Sequence, residues 1–97
     1  MKQRLAYTKM ISPILTLSIG HISEEDAELL DTEKTFSVGK FEFGYFILLT
    51  SITGNKKLQK YSKAFRKVVN TALQANCHYI CLDRDAELHP DLQVFNW

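Results

Sequence analysis

The chain has 97 residues, of which 45% are hydrophobic and 24% charged, the size and balance of one globular domain that buries its own core. These figures disfavour a second domain, a disordered polar chain or a membrane-embedded one. A net charge of +1 is too small to mark a partner by itself. It conceals a segregation of signs: six acids and no base between Ile22 and Glu33, then six bases and no acid between Thr53 and Leu82.

The first nine residues carry Lys2, Arg4 and Lys9 with little periodicity, so residues 1–10 are expected to be a loosely ordered basic tail ahead of a single domain over 11–97. The apolar stretch 10–19 is broken by Ser12, Pro13, Thr16 and Ser18; it is too short to cross a bilayer and lacks the layout of a signal peptide. Two cysteines, Cys77 and Cys81, form no disulfide framework, which points to a reducing, cytoplasmic setting.

Alternation of Leu15, Leu17 and Ile19 with Thr16 and Ser18 predicts a first strand over 14–19. Ser23 and Asp26 make a capping box with Ile22 positioned to staple against Ala27, predicting a helix over 24–31. Ala27 and Leu30 are its packing face, and its acids crowd the first turn, where the helix dipole favours them.

Residues 36–43 and 45–52 are rich in aromatic and β-branched side chains and read as a hairpin turning around 42–45, with Gly44 supplying a positive φ. The apolar phase shifts across Gly39, as a bulge would cause. The second of these strands is apolar almost throughout and belongs in the middle of a sheet. Phe65, Val68, Val69, Ala72 and Leu73 then mark an amphipathic helix over 62–75. A strand follows over 78–83, and a short last strand is expected at 94–97, with Phe95 and Trp97 docked on the sheet edge. An exposed Trp97 would mark a binding anchor.

This order predicts an α+β two-layer sandwich in the ferredoxin-like βαββαβ arrangement, an antiparallel sheet with both helices on one face. The stretch from His21 to Leu30 (HISEEDAELL), the turn from Phe41 to Phe46 (FEFGYF), and the ending CLDRD over 81–85 with VFNW over 94–97 resemble an uncharacterised family of short bacterial proteins carried on plasmids and other mobile elements. The resemblance spans about His21 to Trp97. It implies a bacterial, mobile-element context and no particular activity.

Three sets of residues are candidates for contact with partners. Lys56, Lys57, Lys60, Lys63, Arg66 and Lys67 form one basic surface able to neutralise phosphates or meet an acidic partner. Glu24, Glu25, Glu28 and Asp31 form an acidic face suited to a basic partner, the chemistry a protein inhibitor of a nucleic-acid enzyme would need. Tyr45, Ile47, Leu49 and Tyr79 are expected to line an open sheet face and a homodimer interface.

Catalytic and metal readings meet geometric objections. Cys77 and Cys81 would share a strand face about 13 Å apart, too far for common ligation. His21 and the turn from Asp83 to Glu87 offer acid-base groups, but the ferredoxin-like topology would put them at opposite ends of the sheet. RNA-recognition modules share the element order, yet the first strand here has no aromatic to stack a base. The expected function is therefore a non-enzymatic macromolecule-binding protein, such as an inhibitor of a host defence system, with no cofactor, metal or small-molecule ligand. The alternatives are a nucleic-acid-binding module on the basic surface and a small enzyme on His21 or the Asp83 to Glu87 turn.

Overall fold

The computed structural model describes residues 12–97, so the basic tail expected at 1–10 lies outside the described residues. Strand β1 is Ile14–Ser18, helix α1 Glu24–Asp31, β2 Val38–Phe41, β3 Gly44–Leu48, helix α2 Lys63–Gln74 and β4 Tyr79–Asp83. Short 3₁₀ turns at Ile19–His21, Leu49–Ser51 and Asn55–Leu58 join them. The chain order βαββαβ is the expected one.

The sheet is not the expected antiparallel one. Its spatial order is β1-β4-β3-β2, with β4 antiparallel to β3 but parallel to β1, where Ser18 stands beside Asp83. The reason is burial: Ile80, Cys81 and Leu82 are all covered, so β4 takes an inner position, while β1, exposed at Ile14 and Thr16, stays at an edge. The hairpin pairs without interruption from Val38 with Ile47 to Phe41 with Gly44, so no bulge forms at Gly39. The apparent phase shift has another cause. Phe36 enters the core before β2 begins, whereas Phe41 packs on Phe46 at 5.2 Å between ring centres.

Gly44 does not have the positive φ expected of it; a side chain there is excluded because its Cβ would lie 1.7 Å from the Leu82 carbonyl oxygen. The positive φ that ends α2 belongs to Asn76. Its N–H donates to Leu73 while that of Cys77 donates to Ala72, a Schellman closure that satisfies the last carbonyls of the helix. Cys77 therefore lies in this closure and packs on the core, whereas Cys81 is outside that cluster, on the opposite side of the sheet. The two thiols do not share a strand face.

One apolar cluster joins both helices to one sheet face: Ala27 and Leu30 from α1, Phe65, Val68, Val69 and Ala72 from α2, and Tyr45, Ile47, Ile80 and Leu82 from the sheet. Leu73, expected in the stripe, is 51% exposed; eight residues after Phe65 the stripe has turned by about 80° and faces out. Residues 94–97 form no strand. Instead the Phe95 N–H donates to the Gly20 carbonyl at 2.7 Å and the Trp97 indole N–H to the Ile22 carbonyl at 2.9 Å, docking the segment on the turn after β1.

Asp26 ties the helices together. The capping box forms as the sequence predicts: Ser23 N–H donates to the Asp26 carboxylate at 3.0 Å, and Asp26 N–H to Ser23 Oγ at 3.1 Å. The same carboxylate accepts from Ser62 N–H at 2.8 Å and from the Ser62 hydroxyl at 2.5 Å. Ser62 is the N-cap of α2, and its Oγ accepts from Phe65 N–H at 3.0 Å. One buried anion thus serves both helix starts, where unpaired N–H groups and the helix dipoles favour negative charge. Asp26→Ala should lower unfolding free energy by roughly 2–4 kcal/mol, through loss of charged hydrogen bonds at two caps. Asp26→Asn should lose less, and urea denaturation followed by circular dichroism measures both.

Candidate binding site

The C-terminal ends of β1 and β4 and the hairpin turn lie at one end of the sheet, since Ser18, Asp83 and Gly44 are in register there. His21 and Asp83 consequently sit at the same end, not opposite ends. That juxtaposition creates no free base. His21 is fully buried; its Nδ1–H donates to the Gln93 carbonyl at 2.8 Å and its Nε2 accepts from His89 N–H at 2.7 Å. These partners define its tautomer and make it a clamp on segment 89–93. Asp83 accepts from Asp85 N–H at 2.8 Å, which shapes the turn after β4.

At this same end, a groove of about 390 Å³ opens between α1 and the hairpin turn. Helix α1 contributes Glu24, Glu28 and Asp31, which share one face at spacings of four and three residues. Phe41, Glu42, Phe43 and Tyr45 come from the hairpin, Arg84 from the turn after β4, and Trp97 from the docked C-terminal segment. Trp97 is 52% exposed although its indole N–H is bonded, so its ring is available to a partner. Glu25, from the acidic set, is exposed on α1 but does not line the groove.

Two cations of the chain already occupy aromatic faces here. The Arg84 guanidinium lies 4.9 Å from the centre of the Phe43 ring. Lys40 pairs with Asp31 at 2.9 Å and lies 5.7 Å from the centre of the Tyr45 ring. The Tyr45 hydroxyl donates to Asp31 at 2.6 Å; this bond, with help from Lys40, holds the Asp31 carboxyl below its ordinary range against a smaller opposing effect of burial. Burial and the Asp31 charge push Tyr45 up to about 12. Among the described residues Glu24, Glu28 and Glu42 have no cation within ion-pair distance.

The basic set is divided by its surroundings. Lys60 pairs with Glu33 at 3.1 Å, Lys57 donates to the Thr35 carbonyl at 2.7 Å, and Lys67 donates to the Asp91 carbonyl at 3.2 Å. Lys56 is exposed. Lys63, Arg66 and Lys67 line a second groove on α2 with Asn70, Thr71 and Gln74, sharing no residue with the acidic groove. The acidic and basic grooves are therefore separate, although Lys60 and Glu33 pair across the two charged segments.

The residues expected to form a dimer surface lie mostly on the covered side of β3. Tyr45, Ile47 and Leu49 are buried under the helices, and Tyr79, which pairs with Leu48, is the member on the other side. Strand alternation puts Phe46 and Leu48 outward when Tyr45 and Ile47 face in, and Phe46 is 40% exposed. In a run as uniformly apolar as Tyr45 to Leu49, composition carries no phase. Among the described residues no three histidine, cysteine or carboxylate side chains stand together as a metal site, and no helix is long and apolar enough to cross a membrane.

The fold and groove define a two-layer α+β domain with a mixed four-stranded sheet and one acidic, aromatic-lined end. Residues 14–97 match DUF5983, described as a family of unknown function, C-terminal domain, and the chain belongs to that family. No curated protein and no solved structure matches it.

Glu33, just beyond α1, pairs with Lys60 at 3.1 Å. Burial raises its pKa, but hydrogen bonds from the Tyr61 hydroxyl at 2.6 Å, from Thr35 and from Lys60 outweigh it and bring it down to about 2. A carboxyl depressed by folding contributes stability in full above its unfolded pKa, and that contribution is lost as pH falls through the folded one. The urea midpoint should decline between pH 4.5, its ordinary value, and pH 2. Glu33→Gln should flatten part of that decline while lowering the midpoint at pH 7.

Proposed function

We propose that this protein is a small non-enzymatic binding module that holds the basic surface of another protein against its acidic end. The observation that carries this reading is the groove lined both by Glu24 and Glu28, free of internal cations among the described residues, and by exposed Trp97. Carboxylates in a row on a capped helix present to a basic surface what a run of phosphates would. In the mobile-element setting that the sequence resemblance implies, the fitting target is a nucleic-acid enzyme of a host defence system, blocked where it binds its substrate. A reading as an enzyme on His21 has less support, because both ring nitrogens already hold backbone partners.

Capture from a bacterial host lysate, with identification of co-eluting proteins and nucleic acids, tests the proposal. The expected result is a basic protein retained by the native chain, released by moderate salt and lost with Glu24→Lys/Glu25→Lys/Glu28→Lys. Retention that is indifferent to those reversals would remove the acidic face from the account.

A nucleic-acid-binding alternative is favoured by one observation, the polar groove in which Lys63, Arg66 and Lys67 lie along one side of α2. On that reading Lys63→Glu/Arg66→Glu/Lys67→Glu abolishes a salt-sensitive mobility shift of duplex or single-stranded DNA or RNA. Absence of any shift at low salt would exclude it.

A further inference from the structure

Among the described residues both cations that line the acidic groove lie over aromatic rings, Arg84 on Phe43 and Lys40 on Tyr45, the latter with Asp31 as counter-ion. Guanidinium and ammonium groups are attracted to ring faces, most strongly to tryptophan, and the attraction grows where water is partly excluded. The groove contains four carboxylates, Glu24, Glu28, Asp31 and Glu42, against the two cations Lys40 and Arg84. Among the described residues only Asp31 of the four is in an ion pair. What remains is a tryptophan with half its surface open and, lining the same groove, three carboxylates that pair with no cation among the described residues.

We infer that this groove is a receptor for an arginine side chain carried on a protein segment, the guanidinium stacking on Trp97 and its N–H groups donating to Glu24 and Glu28. The inference rests on the proposed binding of a basic partner and names the side chain recognised. Arginine fits better than lysine because its planar fork can stack and pair with carboxylates at once, whereas an ammonium does so as a compact, strongly hydrated point charge. Arg84 over Phe43 shows that an aromatic ring at this end already holds a guanidinium. The acidic groove and the basic α2 groove share no residue, so a filled receptor leaves the basic surface accessible.

Trp97 is the chain's single tryptophan, so its fluorescence reports the groove directly. Titration of the full chain at low salt with a short capped peptide containing two arginines should give a saturable change in emission. The lysine counterpart should bind roughly tenfold more weakly, and a citrulline counterpart, equal in shape but uncharged, should give no saturable change. Glu24→Gln/Glu28→Gln, at exposed positions, should weaken the arginine peptide at least about tenfold. No saturable response to arginine, equal response to citrulline or lysine, or an unaffected Glu24→Gln/Glu28→Gln variant would each overturn the assignment. Partner capture that depends on acidic residues, together with a silent arginine titration, would preserve the broader proposal and reject this receptor. The opposite pattern would support the receptor and reject that proposal's partner.

Discussion

The position of both helices depends on one buried carboxylate. Asp26 closes the capping box of its own helix and also anchors the backbone and side chain of Ser62, so the start of α1 determines where α2 starts. A buried anion is costly unless it is fully hydrogen-bonded. Here the donors are the N–H groups and hydroxyl at two helix beginnings, where positive dipole ends already converge. With α2 placed in this way, Phe65, Val68 and Val69 reach the same sheet face as Ala27 and Leu30.

The second organising contact is His21. Between Gln93 and His89 it accepts one backbone bond and donates another, fastening the C-terminal segment against the turn that follows β1. Phe95 and Trp97 complete that docking through Gly20 and Ile22. The aromatic side of the groove therefore depends on a histidine deep in the fold, and the acidic side on a helix capped by Asp26. Structural groups here position the exposed ones, and the two roles belong to different residues.

Charge segregation along the chain translates only partly into charged surface. Lys57, Lys60 and Lys67 use part of their donor capacity within the fold, and Asp26 and Glu33 are consumed by caps and by Tyr61. What faces solvent is smaller and more local than a count of residues indicates. On the acidic side it is concentrated by aromatic neighbours, which a helical projection of α1 alone does not contain.

The capping box at Ser23 and Asp26, the buried stripe from Phe65 to Ala72 and the element order were legible because each is a local pattern with a period or spacing of a few residues. So was the acidic face of α1. The second use of Asp26 was not, because Ser62 lies thirty-six residues away. Strand order was also beyond reach: an alternating apolar run states that one face is covered, but not which strand lies beside it. Seating β4 between β1 and β3 brought His21 and Asp83 to one end of the sheet. The groove exists only because α1, the hairpin, Arg84 and Trp97 meet there. The sequence by itself determined both helices, the four strands and their charges through short-range bonding and periodicity, whereas the tertiary structure decided the neighbours and docked 94–97 without a strand, since packing competes over the whole chain at once.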